Sequence, residues 1–376
     1  MVNTQIELSV PYNDDRFVLE EYFRNKIFGK NKIREVYLAG PQEYSGSGRL
    51  TSTLNLAQFI ELTTRIHEGG LRVNLVLNTT CEGGDWYKPE NINTKLDYLQ
   101  KMHEQHGVEA ITVSNPFYIE AIRKRLPKIE ICASVLGDID CAQRASFFSE
   151  AGANVLTVDT NINRNLNLLA EIKKVTGSEI KIMVNEGCLY KCPFRKFHFN
   201  YISHKSMEAE IVNEHCFFFN CLPVIIKDNT QLLKSGWVRP EDLNKYSGIS
   251  TFFKIVGRSC SSAMLLRATK AYLNESWEGD LFDLISGPLN LFSVGYGAYL
   301  DNKWLGEKSF FDTAISCKDN CTECTYCQNI INTGLKFKVL TREKIEDLGY
   351  QGLSNVIRKV AEINSISETK TKGVGI

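Results

Sequence analysis

The chain has 376 residues, 43% of them hydrophobic, and its 44 basic and 44 acidic side chains cancel to a formal charge of zero. That length predicts one large core with an appendage, or two domains, and the charge balance excludes a general polyanion-binding surface while leaving room for a local basic groove. No run of about 18 apolar residues occurs, as a membrane span needs, and the N-terminus pairs no basic segment with an apolar one, so the expectation is a cytoplasmic protein without a membrane partner.

In chain order, Gln5 to Pro11 is read as a short pairing segment, and Asp14 to Phe28 places Phe17, Val18, Leu19, Tyr22, Phe23 and Ile27 at a spacing compatible with one helical face. An alternation follows. Strand-like runs at Glu35–Ala39, Arg72–Leu77, Ala110–Val113, Glu130–Ser134, Val155–Val158 and Ile180–Val184 enclose helical patterns at Thr53–His67, Ile92–His106, Tyr118–Arg125, Asp140–Ala151 and Asn165–Thr176. Two further candidates, Phe217–Pro223 and Phe252–Val256, bring the strands to eight. Repeated strand then helix predicts parallel βαβ units, and eight of them close as a (β/α)8 TIM-like barrel; a doubly wound open sheet is the other arrangement with this alternation. A helix over Ala263–Leu273, capped by Ser261 or Ser262, ends the pattern. The expected division is a barrel domain, 1–275, and a smaller Cys-rich C-terminal extension, 276–376, with a four-Cys loop, a helix over Arg342–Ile363 and a solvated tail.

Barrels of this kind carry their chemistry at the C-terminal ends of the strands. Those ends hold Glu43, Asn78, Ser134, Asp159, Glu186 and Arg258. The sixth is the richest, because residues 184–198 read VNEGCLYKCPFRKFH. Twelve Cys, nine of them beyond residue 180, point in a reducing compartment to metal rather than disulfides. Cys188 and Cys192, with three residues between them, can face one metal centre, with Cys216 and Cys221 completing a four-thiolate set and Cys260 an alternative fourth ligand; small buried hydrophobes are the plainer reading of such Cys.

A second group, Cys317, Cys321, Cys324 and Cys327, has intervals of three, two and two residues in one loop. Such a run fits a four-iron, four-sulfur cluster, with zinc as its rival and Cys81 or Cys260 as an outside ligand. Three of the six His, namely His198, His204 and His215, follow the first thiols and suit ligation or proton transfer, against a plain role as polar loop residues. Glu186 is a candidate general base or the orienting partner of a nearby amide. Arg195, Lys196 and Arg258 suit an anionic substrate, because guanidinium groups bind carboxylate and phosphate bidentately; ion pairs across the barrel rim are the alternative.

Several of these stretches together resemble peptidase family U32, the collagenase-like proteins. Leu38 to Glu43 (LAGPQE) is like the family's first strand and loop, Ser134 like its Ser after the fourth strand, and Gly152 to Val155 like its fifth-strand entry. Phe253 to Arg258 (FKIVGR) is similar to its Lys-Ile-Glu-Gly-Arg signature, with Val256 in place of Glu, followed by a helix with Ala271 and Tyr272. The likeness spans roughly residues 30 to 275. It implies a barrel, a four-Cys cluster beneath its mouth, and oxygen-independent hydroxylation-type modification of a small organic molecule or RNA.

The combined expectation is an iron–sulfur enzyme with one or two 4Fe-4S clusters. Its catalytic residues would be Glu186, His198 and Arg258, and its substrate-binding residues Arg195, Lys254, Glu43 and Asn78. Its metal ligands would be Cys188, Cys192, Cys216 and Cys221 at the barrel, and Cys317, Cys321, Cys324 and Cys327 in the extension. The rivals are a metal-dependent peptidase, against which stands the lack of a His-Glu-x-x-His motif, and a non-catalytic redox partner of a related subunit or electron donor.

Overall fold

A computed structural model describes residues 5–41, 46–47, 54–84, 86–207 and 218–337. The chain opens with β1 (Glu7–Pro11), α1 (Arg16–Arg24), the short β2 (Ile27–Phe28) and β3 (Asn31–Ala39). Strand–helix units follow: α2 (Leu56–Glu68), β4 (Arg72–Leu77), α3 (Pro89–His106), β5 (Ala110–Val113), α4 (Pro116–Arg125) and β6 (Glu130–Ala133). Then come α5 (Ala142–Glu150), β7 (Val155–Thr157), α6 (Leu166–Thr176) and β8 (Glu179–Met183). Several helices have a local reason to begin or stop. Asn55 and Gln58 form a reciprocal capping box on α2, Asn115 caps α4 ahead of Pro116, and Gly107 and Gly177 end α3 and α6 at φ of 70° and 65°, a region glycine enters without strain.

Strands β3 to β8 pair in parallel in sequence order, β9 (Phe252–Lys254) pairs with β8, and β1 pairs in parallel with both β9 and β3. The sheet therefore closes as an eight-stranded (β/α)8 barrel, and the open-sheet alternative is ruled out. The eighth strand is β1 rather than Phe217–Pro223. Residues 218–227 instead form α8 (Phe218–Lys227), whose Cys221, Leu222 and Ile225 are buried in a cluster outside the barrel. A short apolar run does not disclose its period, which is why it reads equally as a strand. The helix expected over 14–28 also stops early, at Arg24, and β2 turns back onto β3.

Between β8 and β9 the chain inserts α7 (Arg195–Met207), α8 and α9 (Gln231–Lys234) instead of a single helix. After α10 (Ser262–Leu273) come α11 (Pro288–Tyr296), β10 (Ala298–Leu300), α12 (Asn302–Glu307), α13 (Phe310–Ala314), α14 (Tyr326–Gly334) and β11 (Leu335–Phe337). Side chains from residues 189–237 and 281–331, among them Leu189, Leu233, Trp237, Phe282, Phe292 and Ile331, share this second hydrophobic cluster. The barrel has its own core, where Val36, Leu38, Leu75 and Ile111 on the outer sheet face meet Phe59, Ile66, Leu99 and Ile119 of the helices. The helix expected over 342–363 and the tail lie outside the described residues. Among the described residues no helix is long and apolar enough to cross a membrane.

The segment 284–287 runs along the end of β8. Ser286 N–H donates to Asn185 O, Gly187 N–H donates to Ser286 O (both 2.8 Å), and a Cβ at Gly187 would lie 2.5 Å from that carbonyl, so only glycine permits the approach. Inside the barrel, a β-bulge leaves Arg34 unpaired, because Leu8 registers with Ile33 and Ser9 with Glu35. Two consecutive residues of β3 thereby reach the interior.

Candidate active site at the barrel mouth

The barrel interior is charged rather than filled with branched apolar side chains. At its N-terminal end the Arg34 guanidinium meets Glu7 (3.2 Å), Glu130 (2.9 Å) and Glu179 (2.8 Å) and lies 4.2 Å over the Phe252 ring. One layer higher, fully buried Glu35 accepts from Ser9 Oγ (2.7 Å), Asn74 Nδ2 (3.0 Å) and Lys181 Nζ (2.7 Å). Burial alone would raise the Glu35 carboxyl, but the Lys181 ammonium outweighs it and lowers it to about 2. Cys132 takes long contacts from Lys181 and Asn74, both 3.6 Å, and burial pushes its thiol up to about 11.

The mouth lies above this layer. Tyr37, Asn78, Ser134, Glu186, Lys254 and Arg258 line a narrow cavity of about 50 Å³. Asn78 donates to Ser134 Oγ (3.0 Å), and Arg258 Nη2 donates to Ser47 Oγ (2.8 Å). The Lys254 amine stands 3.7 Å over the face of Tyr37. Burial, then the neighbouring Lys181 charge, pushes that amine down to about 7. Four of the expected site residues, Asn78, Glu186, Lys254 and Arg258, thus converge on one cavity.

Glu186 connects the cavity to the first thiol loop. It is 3% exposed, and its Oε2 lies 3.4 Å from Arg195 Nη1 while Oε1 accepts from the Cys188 thiol at 3.6 Å. Arg195, the first residue of α7, is itself 8% exposed, and its Nε and Nη2 are buried with no hydrogen-bond partner among the described residues. Burial alone would depress this guanidinium, yet Glu186, then Cys188, Asp159 and Asp138, hold it above its ordinary value. His198, one turn along α7, stacks at 5.3 Å on Phe199, which lines the cavity that His198 itself does not. Lys196 lies at the surface, 3.6 Å from Asp138. Glu43, Cys216 and His215 fall outside the described residues.

The described thiols of the two expected groups lie in different surroundings. The neighbouring Cys221 lowers the Cys192 thiol to about 7 while Cys192 pushes Cys221 up, and Cys188 lies close enough to add to that rise. Cys260 is instead buried against Met264 and Leu265. Cys317, Cys321, Cys324 and Cys327 line a separate cavity of about 1060 Å³, with Arg164 and Lys234 among its other walls. Among the described residues no group of three or more His, Cys, Asp or Glu is gathered closely enough to hold a metal ion. What is assembled at the barrel is an all-sulfur pair with a third thiol at hand.

The sequence model of peptidase family U32 matches residues 21–230. The chain belongs to peptidase family U32. An uncharacterized protease of Methanocaldococcus jannaschii is 32% identical over 316 residues, covering 82% of this chain and 91% of its own. Among solved structures, a U32 peptidase aligns with TM-score 0.46 and 19% identity over 56% of this chain and 79% of that one. Tryptophan synthase from M. tuberculosis aligns with TM-score 0.39 and 9% identity over 76% and 90%. At that similarity neither structure bears on the chemistry.

Two features of this U32 barrel escape sequence reasoning. Lys181 sits inside an apolar run, and nothing local marks it as the partner of Glu35, 146 residues away. Cys81, at the end of β4, comes within 4.0 Å of His204 Nδ1 on α7. Its strand-end position was the available signal, and the inserted helix supplies the His.

Proposed function

We propose that this U32 member is an iron–sulfur-dependent enzyme that modifies a small anionic organic molecule or an RNA at the barrel mouth, by hydroxylation-type chemistry without molecular oxygen. The observation that carries the reading is the position of Glu186, which lines the narrow mouth cavity, pairs with the buried Arg195 and accepts from the Cys188 thiol. One carboxylate is thereby common to the cavity and the thiol loop. The donor set fits such a cluster in kind: Cys188, Cys192 and Cys221 would hold it with Cys216, and soft thiolates suit iron–sulfur centres. When bound, it would supply single electrons or a Lewis-acid position. Arg258 would bind the anionic part of the substrate, Arg195 would hold Glu186 in place from behind the cavity, and Glu186 would hold or move a proton at its carboxylate.

The test is the iron and acid-labile sulfide content of anaerobically purified protein. About eight irons per chain supports clusters at both thiol groups, and about four supports one. Stoichiometric zinc without sulfide overturns the reading.

A second reading, peptidase activity, is favoured by the Cys81–His204 pair rather than by a metal site. Here His204 would take the thiol proton and Cys81 would attack the peptide carbonyl. Peptide hydrolysis that survives metal removal and disappears in Cys81→Ala supports it, and hydrolysis unchanged in Cys81→Ala excludes it.

A further inference from the structure

Two lysines face each other across adjacent strands of the barrel, and they are held in different states. Lys181 on β8 is 1% exposed and lies 2.7 Å from Glu35 Oε1, an ion pair that keeps it an ammonium. Lys254 on β9, registered with Met183, shares that interior but stands at its upper edge, where it lines the mouth cavity and is partly exposed to it. Among the described residues no carboxylate lies within ion-pairing distance of its amine. The groups around it are Lys181 from β8, Glu35 and Tyr37 from β3, Cys132 from β6, and Arg258 from the loop after β9. The Tyr37 face at 3.7 Å favours a cation. Burial and two neighbouring cations oppose it; Glu35 is already engaged by Lys181, and Glu186, which lines the same cavity, is paired with Arg195. Their sum leaves a substantial neutral fraction at neutral pH. A neutral amine at the C-terminal end of a barrel strand, beside another cation, is a nucleophile.

We propose that Lys254 is a covalent site, whose amine captures the carbonyl group of a small anionic aldehyde or keto compound as an imine at the barrel mouth. The nitrogen lone pair adds to the carbonyl carbon and one N–H proton passes to the carbonyl oxygen, giving a carbinolamine; the second N–H proton then leaves with that hydroxyl as water, and the C=N bond forms. No oxidant or reductant is needed. Arg258, lining the same cavity, is placed to take the anionic group, and a cavity of about 50 Å³ limits the entering part to a few heavy atoms. This goes beyond the anion-binding role given to Lys254 by its sequence position, because the neutral fraction of the amine binds no anion but traps a carbonyl.

The probe is glyoxylate, an aldehyde carrying one carboxylate, added to the full-length protein with cyanoborohydride, which reduces an imine to a stable carboxymethyl-amine. Peptide mapping by mass spectrometry then reads labelling at every lysine. The expected result at neutral pH is labelling of Lys254 at least tenfold faster than of exposed lysines such as Lys124 and Lys196, levelling off above pH 7 while theirs continues to rise. Lys254→Arg, which keeps the charge but forms no stable imine, loses that fast phase with the other sites unchanged. Lys254 labelling no faster than the surface lysines overturns the proposal, and wild-type mapping decides this even if the variant fails to fold. Trapping requires no metal, so it stands or falls apart from the iron content.

Discussion

The Tyr190 hydroxyl donates to Asp319 Oδ2 at 2.7 Å, joining a residue between Cys188 and Cys192 to one between Cys317 and Cys321. Lys191 reinforces the contact from 3.0 Å, and its own N–H is fixed by Asn161 Oδ1 at 2.7 Å. The two thiol loops, separated by more than a hundred residues in the chain, are therefore neighbours. Because Lys191 and Asp319 are 62% and 44% exposed, the link positions the loops and adds little stability.

Asp319→Ala should accordingly leave global stability within about 1 kcal/mol of wild type in urea unfolding. Limited proteolysis should nonetheless cut residues 317–327 faster, since this contact holds the loop against the barrel insertion. Equal cutting rates in the two proteins would show that the loop is held by other means.

The Glu35–Lys181 pair predicts the opposite pattern. Either group alone would be a buried uncompensated charge, so Glu35→Gln or Lys181→Met should each cost about 3–5 kcal/mol. Replacing both removes the charges together, and the double variant should be more stable than Lys181→Met alone. Additive losses in urea unfolding would contradict this coupling.

The same pair sets an acid limit. The folded Glu35 carboxyl lies below its ordinary value, so the stability it contributes is present above about pH 4.5 and is lost as pH falls through about 2. A shift of that size corresponds to roughly 3 kcal/mol. Stability measured between pH 5 and 2 should fall less steeply in Glu35→Gln than in wild type, and parallel curves would count against Glu35 as the titrating group.

The barrel was legible because its signal is local and repeated: an apolar run, a polar strand end, a helix with caps such as Asn55 and Asn165. The closing strand was not, since Glu7–Pro11 and Phe217–Pro223 are both short and apolar, and only tertiary pairing distinguishes them. At the site, Glu186, Lys254 and Arg258 stood out as charged residues at strand ends. The β3 bulge that turns both Arg34 and Glu35 inward breaks the alternation from which facing is read. Contacts such as Tyr190 with Asp319 and Cys81 with His204 depend on where inserted segments pack, which no local pattern encodes.

If Cys188, Cys192 and Cys221 hold the proposed iron–sulfur cluster, Cys192→Ala should remove it while leaving the fold in place. The residue packs at the edge of the second hydrophobic cluster, and the barrel core holds together without it. Anaerobic circular dichroism should be unchanged while iron content drops; global unfolding would mean that the loop stabilises the barrel.

The C-terminal thiols pose a choice between relay and clasp. Cys324 is exposed, whereas Cys327 is half-buried and packs with Tyr326 against the second cluster, where the Tyr326 ring stacks at 6.2 Å on Phe310. Alanine at both positions removes two thiols but little apolar contact, so residues 276–337 should stay packed. If the loop passes electrons to the barrel site, the Cys324→Ala, Cys327→Ala variant should lose about half its iron and keep the absorption of the remaining cluster. Its barrel centre should then be reduced at least tenfold more slowly by a low-potential protein electron donor. Anion binding should be unchanged, because Asn78, Lys254 and Arg258 line the other cavity. If the loop is instead a clasp, proteolysis beyond residue 275 should accelerate while reduction of the barrel centre keeps its rate. The Tyr190–Asp319 contact favours the relay, since a clasp for the extension alone has no need to grip the loop between Cys188 and Cys192.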